Sequence, residues 1–207
     1  MARERGVSIA SHDDDSEDKL AFMDGLEASI SEFPISLDVA REARARGLHT
    51  VAGAPNVMLG RSHSGNLSAR EAVAAGAIDV LCSDYYPAAL LDAVFTLRDE
   101  CGLDIARAFA LVSVNPAKAA GIADEVGSLA VGKRADVLLV REIACGEAGT
   151  RTMPVVTRAF VGGHSVFRSH YPDQPLGYAR DLGERIDAAR ADAARADAAR
   201  ALFPEAV

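Results

Sequence analysis

The chain has 207 residues, 49% hydrophobic and 25% charged, with a formal net charge of −8. This is the composition of a globular protein, not a disordered one. The acidic balance speaks against a broad nucleic-acid surface, which is built from excess Lys and Arg. No run approaches the ~18 uninterrupted apolar residues of a membrane helix. A complete (β/α)₈ barrel takes about 250 residues, more than are present.

Four short apolar runs each end in polar residues, and a helix-like segment follows each. The first is Val7 to His12, with Asp13, Asp14 and Asp15 behind it. Glu17 to Ala28 then has Leu20, Phe22, Met23 and Leu26 at helical spacing. The second run is Ala28 to Pro34, followed by a helix over Leu37 to Arg46 with Gly47 as its stop. The third is His49 to Asn56, with its helix over Ser68 to Ala75, stopped at Gly76. The fourth is Ile78 to Asp84, and a helix over Ala88 to Glu100 follows. The run-ending residues His12, Glu32, Asn56 and Asp84 lie 20, 24 and 28 positions apart. That is the length of a βα repeat, so parallel strands with right-handed helical crossovers are expected. In such sheets chemistry gathers at the C-terminal strand ends.

A further helix is expected over Asp104 to Val112. Asn115-Pro116 then breaks and restarts the chain, with Pro116 suited to a first helical turn. From Gly127 the texture changes to short strands: Gly127 to Leu129 and Ala135 to Val140 around the turn 131–134. Val155 to Val161 and His164 to Phe167 flank Gly162-Gly163, a hairpin signal. The Asp-Ala-Ala-Arg-Ala repeats from Asp187 favour a helix with i,i+3 ion pairs. Their five-residue period spirals the charges around it, so the tail reads as a solvated helix. The expected division is 1–125 for the βα units, 126–172 for a small β-rich domain and 173–207 for the helical tail.

The cysteines are Cys82, Cys101 and Cys145, widely spaced and without C-x-x-C. They suit a reducing, cytoplasmic compartment better than a disulfide framework. The N-terminus carries no signal-peptide core.

Several segments carry candidate chemistry. His12 followed by three Asp residues places an imidazole and carboxylates where a divalent metal could be ligated. The same acids could instead cap the next helix. Asp84, after the fourth strand, could bind a metal or take a proton from water, or simply make a turn. Gly60 to Asn66 is a Gly/Ser loop in which Arg61 and His63 could cradle a phosphate, or which could be a plain connector. Gly127 to Lys133 fits seven positions of a phosphate-binding P-loop, but Arg134 stands where Ser or Thr must hold magnesium. A β-turn is the sounder reading.

These residues carry a resemblance. Ser113 to Lys118 and Gly121, then Gly127 to Val137, resemble the C-terminal signature of the amidohydrolase superfamily. Ala10 to Asp14, Gly53 to Val57, Ser62 to Asn66 and Ser83 to Tyr85 narrow it. Together they are similar to the group of ribosyl-triphosphate diphosphatases of phosphonate breakdown. The likeness runs from about Val7 to Tyr171. It implies an α/β fold: the last four βα units of a (β/α)₈ barrel, a small β-domain and a C-terminal helix. It implies a metal-dependent hydrolase that cleaves pyrophosphate from α-D-ribose 1-methylphosphonate 5-triphosphate, a phosphorylated small molecule. The metal expected is zinc or manganese, in a site this chain leaves incomplete. His12 and Asp84 would be metal ligands, with Asp84 also handling the proton of the attacking water. Arg61 and His63 would lie where phosphates bind.

The superfamily's first-strand His-x-His is absent, and no Lys among Lys19, Lys118 and Lys133 ends a βα strand. Glu32 stands where a further ligand is expected. The simplest expectation is a sequence truncated at its N-terminus. Half a barrel would have open sheet edges, a liability that favours pairing with a second copy or a complementing chain. Two other readings follow: a non-catalytic half-barrel that associates with another chain, and a different amidohydrolase acting on a C–N bond.

Overall fold

The fold was analysed in a computed structural model, which describes residues 3–60, 67–145 and 151–169. The expected helical tail and the 61–66 loop, with Arg61 and His63, lie outside those residues. The chain divides into two compact units. One is Met1–Asp136 with Val161–His164; the other is Val137–Phe160 with the described residues from Ser165 on.

The first unit is built on a four-stranded parallel sheet of order β1-β2-β3-β4. Its strands are β1 (Ala10–His12), β2 (Ile30–Glu32), β3 (His49–Gly53) and β4 (Val80–Cys82). Helices α1 (Glu17–Gly25) and α2 (Leu37–Ala45) link the first three strands. Between β3 and β4 run α3 (Ala54–Leu59) and α4 (Ala69–Ala74). After β4 come α5 (Ala89–Cys101), α6 (Ile105–Ala110) and α7 (Val114–Ala119). Neighbours in sequence are neighbours in the sheet, the commoner arrangement of successive βα units.

Local chemistry explains the starts and stops. The hydroxyls of Ser16, Ser36 and Ser68 accept from Lys19 N, Val39 N and Glu71 N, capping α1, α2 and α4. Asp104 Oδ1 accepts from Ala106 N and Arg107 N at α6. Each such cap contributes about 1 kcal/mol. The acids after His12 therefore do not cap α1; Ser16 does.

Two other expectations are corrected. Asn56 does not end a strand: β3 stops at Gly53, and Pro55, held at a helical φ, sits in the first turn of α3. Gly127 to Leu129 is not a strand. Gly127 has φ +87° and packs on α7, where an added Cβ would lie 2.7 Å from Ala117 Cβ and 3.0 Å from Ser113 O. Only glycine fits that approach. The P-loop look-alike is thereby explained, since Lys133 Nζ is engaged by Ala123 O and by Ser128 Oγ at 2.8 Å.

Residues alternate across the sheet. Ser11, Ser31, Thr50, Ala52 and Leu81 share one face and are buried. Leu20 of α1 packs with Val39 and Ala43 of α2 and with Leu48, stapling the first two crossovers. Burying one such Leu contributes roughly 1.5–3 kcal/mol. Ala10, His12, Ile30, Glu32, His49, Val51, Gly53, Val80 and Cys82 share the other face. Val51 and Val80 pack there against Ala119 of α7, with Ile30 and Cys82 alongside.

The β-rich segment is a three-stranded antiparallel sheet of β5 (Val137–Cys145), β6 (Arg151–Val161) and β7 (His164–Arg168). Strand β5 pairs with β6 from Val137↔Phe160 to Cys145↔Arg151, with a bulge at Leu139/Val140. The β6–β7 hairpin turns at Gly162-Gly163, both at positive φ. This is the geometry that two-residue turns between twisted strands demand.

Candidate functional site

The C-terminal ends of the four parallel strands lie side by side. His12 is in register with Glu32, and Gly53 with Cys82. The ladder runs one step further, with Asp13 N donating to Glu32 O (2.9 Å) and Phe33 N to Val51 O (2.9 Å). Just past three of these strands stand residues of left-handed backbone: Asp13 (φ +53°), Phe33 (φ +55°) and Asp84 (φ +49°). Such conformations cost about 1–3 kcal/mol each for non-glycine residues and gather at functional sites. Among the described residues, Glu27 is the one other non-glycine residue with positive φ, and it lies elsewhere.

His12 is exposed, and its Nδ1 lies 3.0 Å from Asp13 Oδ2. A carboxylate at Nδ1 leaves Nε2 for a ligand, the usual arrangement of a metal-binding histidine. The imidazole meets the Phe33 ring edge-on at 5.2 Å between centroids. Phe33 in turn borders Gly53: a Cβ built there would lie 3.5 Å from Phe33 Cε1 and 3.6 Å from Asp84 Oδ2. The Asp84 carboxylate thus lies against the end of β3. Asp84 itself lies in an exposed turn and caps no helix; α5 begins at Ala88 without a side-chain cap. Burial pushes the Cys82 thiol above its ordinary pKa. The Glu32 and Asp84 carboxylates push it the same way, while backbone N–H donors oppose them. Cys82 is therefore a neutral thiol among carboxylates at neutral pH.

The site thus contains His12 and Asp84 from the sequence-derived set, with Phe33 against His12 and near Gly53. Arg61 and His63 lie outside the described residues. Sequence reasoning named Asp14 only as one of three acids and Gly53 only within a motif, and it passed over Phe33 and the place of Cys82 near the Glu32 and Asp84 carboxylates.

Does this donor set fit a divalent metal? His12 offers Nε2 and Asp84 a carboxylate, two donors in all. Among the described residues no three of His, Cys, Asp and Glu converge on one point. A catalytic centre needs about three protein ligands. The described residues therefore do not fit a complete metal centre.

A family model described as "Amidohydrolase family" matches residues 1–166. The chain belongs to the amidohydrolase family. Among curated proteins it is similar to the alpha-D-ribose 1-methylphosphonate 5-triphosphate diphosphatase of Escherichia coli, 41% identical over 141 residues. That alignment takes in 67% of this chain and 37% of the relative. A dihydroorotase of Methanopyrus kandleri is 36% identical over 99 residues, 40% of this chain and 22% of that protein. The amidohydrolase chain thus spans well under half the length of the curated relatives it matches.

Among solved structures, an amidohydrolase from Thermotoga maritima aligns with TM-score 0.58 at 20% identity, over 78% of this chain and 44% of that one. An adenosine deaminase from Xanthomonas campestris with bound zinc aligns with TM-score 0.54 at 14% identity, over 92% and 52%. At those identities the likeness concerns the fold. Among the described residues, no helix is long and apolar enough to cross a membrane.

Proposed function

We propose that this amidohydrolase chain carries part of the site of a hydrolase that releases pyrophosphate from a ribosyl 5-triphosphate. The substrate proposed is α-D-ribose 1-methylphosphonate 5-triphosphate, an intermediate of phosphonate metabolism, handled in a reducing cytoplasm. The observation that carries this reading is the 41% identity to the Escherichia coli diphosphatase over 141 residues. In the same reading the four βα units are the last four of a (β/α)₈ barrel, over 1–125. A small β-domain over 126–172 and a helical tail over 173–207 follow.

In this reading the residues take the following roles. Asp84, exposed at the rim and set beside Gly53, accepts a proton from the attacking water. The water oxygen bonds to phosphorus, the phosphoric anhydride bond breaks, and its electron pair leaves with pyrophosphate. Arg61 and His63 neutralise phosphate charge, as cationic and N–H donors do. His12 and Asp84 are proposed as ligands contributed to a zinc or manganese centre whose remaining donors the described residues do not supply. No step is assigned to that metal.

The test is pyrophosphate release from the ribosyl triphosphate by the purified chain with zinc or manganese added, against a panel of cyclic amides. Release that Asp84→Asn abolishes is the expected result. Release unchanged by Asp84→Asn would remove its assigned role. Turnover of cyclic amides alone would favour a C–N hydrolase, the reading that the dihydroorotase likeness supports. Turnover of neither substrate would favour a non-catalytic chain whose outer strands β1 and β4 pair with a second copy or a complementing chain.

A further inference from the structure

A buried carboxylate, Asp14, follows His12 by two residues and faces the Lys19 ammonium, and nothing in the proposed chemistry uses the pair. Asp14 is fully buried. Its Oδ2 accepts from the hydroxyls of Ser11 and Ser31, both at 2.5 Å. Those two serines are register partners on β1 and β2, so one carboxylate oxygen ties the two strands together at their C-terminal ends. Its Oδ1 makes no hydrogen bond among the described residues, and the Lys19 ammonium stands 3.7 Å from it. Lys19, one turn into α1, reaches back over the loop. Its Nζ donates to His12 O at 2.7 Å and to Asp13 O at 2.8 Å. The loop is also held from the neighbouring strand, where Asp13 N donates to Glu32 O and Ile35 N to Asp14 O.

A carboxylate is costly to bury unless it is compensated. A left-handed Asp13 is unfavourable unless its surroundings over-determine it. Here the same ammonium answers both demands. It balances Asp14 and takes up the two carbonyls that the left-handed turn brings together. Surface lysines do not ordinarily bind two consecutive main-chain carbonyls while facing a buried carboxylate. The side chain that this arrangement aims is His12, with Asp13 at its Nδ1.

We propose that Lys19 and Asp14 are positioning residues: they lock the His12–Asp13 turn so that His12 presents Nε2 at the rim with Asp13 on Nδ1. The proposal rests on the reading of His12 as a site residue, but its test needs neither substrate nor metal.

The experiment is two-bond 1H–15N NMR of the histidine side chains in the full chain. The His12 signal is assigned by its loss in His12→Gln. In the wild type at pH 8, His12 is expected as a single tautomer with the proton on Nδ1. In Lys19→Met its two nitrogen shifts move toward the tautomer-averaged position. The His49 signals, held by Asp79 elsewhere in the fold, stay in place. Lys19→Arg, which keeps charge and donors, restores the wild-type pattern. Asp14→Asn, if it folds, is expected to loosen His12 in the same way.

An unchanged His12 signal in folded Lys19→Met overturns the proposal. So does a Lys19→Met spectrum in which His49 and His12 shift together, since that reports general unfolding. Zinc that leaves the wild-type His12 signal unmoved would end the ligand role of His12 and leave the positioning pair standing.

Discussion

The two ends of the parallel sheet each hold a histidine beside an aspartate, and the two pairs are built differently. At the C-terminal ends, His12 and Asp13 meet at 3.0 Å with side chains 57% and 63% exposed. At the N-terminal ends, His49 and Asp79 meet at 2.8 Å with side chains 25% and 16% exposed. Asp79 there is saturated. Its Oδ2 also accepts from Arg44 at 2.8 Å, its Oδ1 from Thr50 N at 2.8 Å, and its carbonyl from Asn115 Nδ2 at 2.8 Å. Its carboxylate joins α2 to β3, and its carbonyl adds α7. The upper pair is exposed and sits on strained backbone. Similar residues thus serve opposite ends: the lower carboxylate is shared among several donors in a half-buried network, while the upper pair stands open to solvent. In parallel α/β folds, stability gathers at the first kind of end and chemistry at the second.

The comparison is sharpened most by Asp84→Asn at the upper end. Loss of the base is expected to lower pyrophosphate release by about 10²–10⁴-fold. Asparagine tolerates left-handed backbone, so the φ of +49° at this position is kept. The urea midpoint should therefore stay at its wild-type value while the rate collapses. Parallel loss of both would mean that the upper end is also structural.

Asp79→Ala at the lower end should do the reverse. It leaves Arg44, His49 and Thr50 N without their acceptor, at a cost of about 2–4 kcal/mol for a partly buried network. Calorimetry checks it, since each kcal/mol corresponds to about 2–4 °C in Tm for a chain of this size. A Tm unchanged within error would show that the network is replaced by water at no cost. A smaller contrast separates the histidines themselves. His49→Gln should destabilise by about 1 kcal/mol, the worth of one hydrogen bond. His12→Gln, on an exposed side chain, should fall within about 0.5 kcal/mol of wild type. Equal losses would erase the distinction between the two ends.

How much of this was legible in the sequence follows the same division. The βα period was readable because each strand run is followed by an amphipathic or Ser-capped helix, and both signals are local. His12 and Asp84 were readable because polar residues at strand ends stand out against apolar runs. Asn56 misled because it follows an apolar run as they do, yet Pro55 had already begun a helix. Gly127 misled because a close approach to Ala117 leaves no trace in neighbouring residues. Phe33 and Cys82 read as ordinary apolar positions, and only the sheet register sets them beside Glu32 and Asp84. Asp14 was visible as one of three acids. That it alone turns inward depends on Ser31, seventeen positions away, which no local pattern reports.

The finest test of the upper end is the reactivity of Cys82. Only a thiolate is alkylated, so the rate at a given pH follows the thiol pKa. Burial, Glu32 and Asp84 all raise that pKa. In a chain carrying Cys101→Ser and Cys145→Ser, iodoacetamide at pH 8.5 should therefore modify folded Cys82 more slowly than urea-unfolded Cys82, whose pKa is about 8.5. The linkage has a definite sign. The folded chain holds the thiol proton to higher pH than the unfolded chain does. The stability it contributes is complete below the unfolded value and is lost as pH rises through the folded one. Glu32→Gln removes a carboxylate that no backbone bond to the thiol accompanies, so alkylation should accelerate at pH 8.5 while Tm holds. Asp84→Asn should act in the same direction, because its opposing backbone N–H remains. If neither variant changes the rate, the two carboxylates do not face Cys82. The four strand ends would then not form one shared electrostatic environment.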